Sequence, residues 1–265
     1  MTSPAVAYRK EKGILKNILA SLTAAALALT MSGCVTTAPN AMADYDFKSM
    51  NTDFVQLRAP EEGDTIAIVD TDLGEFRMVI YEDYAPNTAA AFIEKAKSGG
   101  YDNKPVYGVM TDVYFLTGGE EDEKGYYTGR NSDKELIPNE YSVDLWPFRG
   151  ALMSFSEKTG FGDARWFVCN TDKESLTEDA VNELKKSASE REDEEERDKL
   201  LTLFDKFYEV GGVFGLSGTV TVFGQTYEGM DVVEKLCNIP AESNGKASEK
   251  VMIKSVTISE YSAEE

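Results

Sequence analysis

The sequence predicts a mainly-β fold, a closed antiparallel barrel with helical lids and one acidic helical segment inserted between two of its strands. Three observations carry this expectation. Short stretches of alternating or apolar residues recur between glycine turns from Thr65 to Tyr261. Only two segments outside the insertion space their apolar residues as a helix does. The third is a long run, Ser175 to Gly212, whose middle is almost wholly charged and which breaks the rhythm of strands. With 265 residues, 42% hydrophobic and 11% aromatic, the chain is long and apolar enough for one large domain with a substantial core.

Taken in order, the first 33 residues follow the logic of a secretory signal. Arg9, Lys10, Lys12 and Lys16 precede the alanine-rich run "ILASLTAAALALTM", which "SGC" closes. A cysteine after Ser32-Gly33 matches a bacterial lipobox, with Met31 where leucine is usual, so Cys34 is the expected lipid anchor. An uncleaved transmembrane helix fits less well, because the apolar run is shorter than the roughly 20 residues a bilayer needs. Residues 34–62 are polar, lack sustained periodicity and read as a tether to the membrane. A domain over 63–262 follows.

Within it, "TIAIVDTDLGEFRMVIYED" alternates Ile66, Ile68, Phe76, Met78 and Ile80 about a turn at Asp72-Leu73-Gly74, which is a β-hairpin. "APNTAAAFIEKAKSGGYD" starts a helix with proline, keeps Ala90, Phe92, Ile93 and Ala96 on one side and stops at Gly99-Gly100. Further strands lie in "VYGVMTDVYFLTGG", "RGALMSFS", "RWFVCN", "TVTVFGQTYEG" and "KVMIKSVTISEY", with a short helix in "GMDVVEKLCN". The insertion, 173–212, reads as two helices: Ser175 with Glu178 as a capping box, Val181 and Leu184 on the first, Leu200, Leu203, Phe204 and Phe207 on the second. Its charged run, Glu190 to Lys199, is either a solvated helix face or a surface for a cation or partner.

Charge and composition exclude much. A formal net charge of −20 repels nucleic acid and anionic headgroups, so membrane contact is expected through the lipid alone. Histidine is absent, which removes Ser-His-Asp and Cys-His catalysis and histidine metal sites. The acidic turns "DTDLGE" and "GGEEDEKG" lack the ligand spacing of a calcium loop, and no metal or cofactor is expected. Cys169 and Cys237 lie in apolar contexts as two buried thiols or a disulfide.

In this order, "KSGGYD", "GGE", "IPNEY", "RGALMS", "RWFVCNTD", "TVFGQTYEGMDVVEKL" and "VMIKSVTI" resemble the cyclophilin family of peptidyl-prolyl isomerases. The resemblance implies an eight-stranded antiparallel barrel capped by two helices and an activity on X-Pro bonds. Such a bond has a rotation barrier of roughly 18–20 kcal/mol. The family lowers it with an apolar socket for the proline ring and an arginine that favours the twisted state, in which the nitrogen regains its lone pair. Counted back from Gly118-Gly119 without a gap, that arginine's place falls on Val109, which has no donor.

The socket looks kept, with Tyr114 and Phe115 before the double glycine, Phe167 on the later strand and Leu216 in the loop after the insertion. Its polar rim is changed to Thr117, Phe155, Ser156 and Val220. Arg165 stands where the family has a glutamine facing the same pocket, and offers a permanent charge and five donors. It either replaces the lost arginine or forms a salt bridge with Asp163. The reading is therefore a monomeric, extracytoplasmic, lipid-anchored isomerase with weakened turnover on proline-containing peptides or unfolded secreted proteins. The rival is a non-catalytic, proline-peptide-binding or chaperone-like lipoprotein.

Overall fold

A computed structural model describes residues 45–123, 125–129, 135–175 and 178–263. The expected signal peptide and the anchor Cys34 lie outside the described residues. The first hairpin is as the alternation predicts: β1 (Thr65–Thr71) pairs with β2 (Gly74–Ile80) from Ile66↔Val79 to Thr71↔Gly74. Thr71 closes the turn, its hydroxyl donating to the Gly74 carbonyl (2.7 Å) and accepting the Leu73 N–H (3.0 Å). Helix α1 (Pro86–Lys97) begins at the expected proline. Its exposed N-terminal amides are satisfied from outside the helix: one Glu140 oxygen accepts the Asn87 N–H (3.0 Å) and the other the Thr88 N–H (2.8 Å). Burial pushes the Glu140 carboxyl up, but these amides outweigh it and hold it below the usual range.

The chain then lays down β3 (Lys104–Pro105), β4 (Gly108–Met110), β5 (Tyr114–Thr117), β6 (Glu120–Glu121), β7 (Tyr127–Thr128), β8 (Ile137–Pro138), β9 (Ala151–Phe155), β10 (Phe161–Gly162) and β11 (Arg165–Cys169). After the insertion come β12 (Val222–Glu228) and β13 (Met252–Glu260). The main sheet has nine strands in the order β3-β13-β1-β2-β12-β9-β11-β5-β4, and β6–β7 and β8–β10 form two-stranded pairs. This corrects the closed eight-stranded barrel. The sheet curls into a half-barrel whose ends, β3 and β4, are parts of one stretch of chain and do not pair with each other. Val106 still donates to Val251 on one side, while Tyr107 donates to Leu116 on the other.

Both faces of the central strands β9 and β11 are covered and these are buried along their whole length, whereas β13 keeps one side open to solvent. On one face, α1 and α4 (Met230–Cys237) bring Ala89, Phe92, Val233 and Leu236 onto Phe76, Met78, Trp166 and Val168. On the other, a second cluster gathers Phe167, Met153, Leu116 and Phe155 with Leu216 and Val222. Cys169 belongs to the second cluster and Cys237 to the first, and both thiols are free. Burial pushes Cys169 up to about 11 and Cys237 well above its ordinary value.

The insertion forms α2 (Glu178–Ser189) and α3 (Glu194–Val210), as expected. Ser175 is not the cap of α2. It sits in a 3-10 turn, where its N–H and hydroxyl both bond Asp172 Oδ1 (2.9 and 2.7 Å). The cap that can be seen is Asp193, which accepts the Glu196 N–H at the start of α3 (3.1 Å).

The expected tether is the larger correction. From Tyr45 on, this segment is part of the fold: Phe47, Met50 and Phe54 are buried with Trp146, Phe148, Leu203, Phe204 and Phe207 in a third core. Gln56 follows and spans the Trp146 backbone, accepting its N–H (2.5 Å) and donating to its carbonyl (2.8 Å). Apolar side chains three and four residues apart, set in a polar stretch, were sufficient to dock it against the insertion.

Candidate functional site

The edge of the half-barrel formed by β4, β5, β11 and β9 brings the expected socket residues together. Residues paired across antiparallel strands point to the same side. The pairs Met110↔Tyr114, Tyr114↔Cys169, Leu116↔Phe167, Phe167↔Met153 and Arg165↔Phe155 therefore lay one continuous row across four strands. The Tyr114 ring meets Phe167 edge-on, centroids 5.5 Å apart. Leu216 joins the same cluster from the turn after the insertion, and Val220 packs against that cluster. Phe167 is only 2% exposed and forms the floor, whereas Tyr114, Met110 and Val220 stay partly open to solvent. Tyr114, Phe155, Phe167, Leu216 and Val220 thus share one apolar surface.

Phe115 and Thr117 do not join it. Being one residue out of phase, they point through the sheet: Phe115 is fully buried against Phe76 and Trp166, and the equally buried Thr117 hydroxyl donates to the Pro105 carbonyl (2.9 Å). Val109, the partner of Phe115, is buried on that same inner side. Counting without a gap therefore placed the missing arginine on a core residue. The outward positions of β4 are Gly108 and Met110, and neither carries charge. Ser156, at the rim, accepts the Lys158 N–H (3.1 Å) with its hydroxyl.

Arg165 takes the salt-bridged alternative. Its Nε donates to Asp163 Oδ1 (2.9 Å) and its Nη1 to the Tyr127 carbonyl (2.9 Å). Nη1 and Nη2 also clasp the two oxygens of Glu157, and Nη2 reaches Asp163 Oδ2 (2.5 Å). All five N–H groups are spent inside the protein, and the side chain is 1% exposed. Desolvation would weaken the charge, but the Glu157 and Asp163 carboxylates outweigh it and hold the guanidinium protonated more firmly than usual. Turning toward a bound peptide would break both guanidinium bonds to Asp163, whose side chain is fully buried. Arg165 lies over the Phe155 ring, 4.7 Å from its centroid, and supports the surface from below.

Sequence reasoning missed Met110, Leu116, Met153 and Val213, which complete the surface. Strand alternation could have found the first three once the pairing of β5 with β4 and β11 was known. Residues 66–258 match the family described as cyclophilin type peptidyl-prolyl cis-trans isomerase/CLD. The chain belongs to this family. Among similar proteins, putative peptidyl-prolyl cis-trans isomerases of Staphylococcus epidermidis and Staphylococcus saprophyticus are 23% and 25% identical over 210 residues, 79% of this chain and 100% of each relative. A crystal structure of a Cryptosporidium parvum cyclophilin-type isomerase superposes with a TM-score of 0.54 at 16% identity, covering 75% of this chain and 99% of that one. A second structure of that protein, in the presence of the dipeptide Ala-Pro, gives 0.53 over 74% and 99%.

Proposed function

We propose that this chain is a peptidyl-prolyl isomerase of low turnover that seats proline on the surface built by Tyr114, Phe167, Phe155 and Leu216. The observation that carries the reading is Tyr114 edge-on to Phe167, an open aromatic wall over a buried aromatic floor, which suits a flat aliphatic ring. Family membership and a fold neighbour studied with Ala-Pro support an X-Pro ligand. Gripping the ring is half of the task. The twisted state also needs a donor toward the prolyl nitrogen, and among the described residues of this surface the one guanidinium is spent on Asp163, Glu157 and Tyr127. A differential stabilisation of a few kcal/mol withheld from that state lowers the rate roughly 10²- to 10³-fold.

The same closed cluster around Arg165 favours a second reading, a peptide-binding module without turnover. Under either, the lipobox cysteine Cys34 would hold a monomer at the outer face of a bacterial membrane, where it meets secreted chains that are still unfolded.

Exchange NMR on a short X-Pro peptide separates the two. The isomerase reading expects exchange broadening above the uncatalysed rate that disappears in Tyr114→Ala. Binding shifts without exchange in the parent would establish the module instead. A Met110→Arg variant belongs in the same experiment, because Met110 is the outward position opposite Tyr114 whereas an arginine at Val109 would enter the core. It is expected to raise turnover at least about tenfold.

A further inference from the structure

We propose that a second ligand site lies in the groove that residues 56–60 form over β1, β2 and β12, and that it takes an extended peptide segment in which carboxylates alternate with apolar side chains. The groove has a volume of about 700 Å³, in the range of small-ligand sites. Three of the chain's eight arginines line it from three separate elements: Arg58 from the N-terminal segment, Arg77 from β2 and Arg149 from the turn before β9. Among the described residues, Glu228 is the one carboxylate that lines it with them. In a chain of net charge −20 this grouping runs against the composition.

Donor inventories set these arginines apart from Arg165. Among the described residues, Arg58 donates one N–H, to Asp53 (3.0 Å), and Arg77 one, to Glu75 (3.0 Å). Arg149 donates two, both to Asn170 Oδ1 (3.1 and 3.0 Å). The acids beside them, Asp53, Glu75, Glu228 and Glu234, are all well exposed, so these pairs are weak and exchangeable. A carboxylate entering the groove meets guanidinium forks with most N–H groups open, the geometry arginine uses for bidentate capture.

The remaining wall is apolar. Leu57 is exposed, Ile66 lies beneath, and Tyr227 and Tyr261 stand edge to face at 5.9 Å. Among the described residues the buried Thr226 hydroxyl has no hydrogen-bond partner, and the Tyr227 hydroxyl lies beside Arg77. Arginines between apolar patches select an amphipathic acidic strand over a simple anion. Ile66, Tyr227 and Tyr261 pack with the same cluster as Phe167, so the groove and the proline surface lie on one side of the sheet.

The test is fluorescence anisotropy on the full chain, with a labelled proline-free peptide in which glutamates alternate with valine and tyrosine, beside its glutamine counterpart. The acidic peptide is expected to bind at least about tenfold more tightly, and the Arg58→Gln/Arg77→Gln double variant to lose about tenfold or more. Arg149→Gln is a second, independent lesion with the same expected direction. Turnover of a short X-Pro peptide should be unchanged in these variants, whichever reading of the proline surface holds. Equal binding of the glutamine peptide, or a double variant that binds like the parent with unchanged melting temperature, overturns the proposal.

Discussion

Removing the Arg165 side chain takes its guanidinium away from the fully buried Asp163 carboxylate and uncovers Phe155. Breaking a buried pair in this way costs about 3–5 kcal/mol. Arg165→Ala should therefore lower the urea midpoint sharply, while any protein that remains folded keeps its affinity for X-Pro peptide. Glu140 provides a second test at this scale. Its carboxylate caps α1 four times over, through the Asn87 and Thr88 amides and side chains, and Glu140→Gln is expected to cost about 1 kcal/mol at neutral pH. Because the folded carboxyl is held low, this stabilisation is complete above its ordinary value of about 4.3 and is lost as pH falls through the lower folded value. Unfolding curves of parent and variant should converge in acid. Tyr114 and Phe167 were legible as partners on one surface because a motif carries each of them. Phe115 and Thr117 were misjudged because the side of a strand residue depends on register, which adjacent sequence does not state.

Between elements, the N-terminal segment and the insertion stabilise each other. Neither has a core alone; together with Trp146 and Phe148 they bury one. Phe47→Ala should cost about 3–5 kcal/mol, a result impossible for a tether and measurable by thermal unfolding. The exit of α3 is equally constrained. Gly212 has φ +131°, and a Cβ there would stand 2.4 Å from the Pro147 carbonyl oxygen. Gly212→Ala is expected to destabilise by about 2–3 kcal/mol. The insertion's helices were readable from their apolar spacing, since Leu200, Leu203, Phe204 and Phe207 make one stripe. Their partner was not, because Phe47, Met50 and Phe54 span too few residues to register as a period.

For the molecule as a whole, the insertion is a local excursion with a closed stem. It leaves after Thr171 and returns at Gly212, whose N–H donates to the Thr171 carbonyl (2.8 Å). Joining the two ends by deleting residues 172–211 should spare the sheet. It should also expose Trp146, Phe148, Phe54 and Phe214, giving strong binding of a hydrophobic dye and poor solubility. The antiparallel sheet was implied by the family resemblance, but the open ladder was not, because closure depends on how far β3 and β4 extend, and each is only two or three residues long.

The outer edge of β4 is not vacant. Val109 donates to the Gly245 carbonyl (2.8 Å) and Tyr107 accepts the Ala247 N–H (3.0 Å), so the loop before β13 occupies that ladder. An extended guest at the proline surface therefore has no main-chain rail to zip onto beside β4 and must be held by its side chains. A guest whose amides are replaced by esters should lose little affinity there. Recognition of that kind releases its cargo readily and tolerates many sequences, and an incoming chain cannot convert this edge into the first rung of an aggregate.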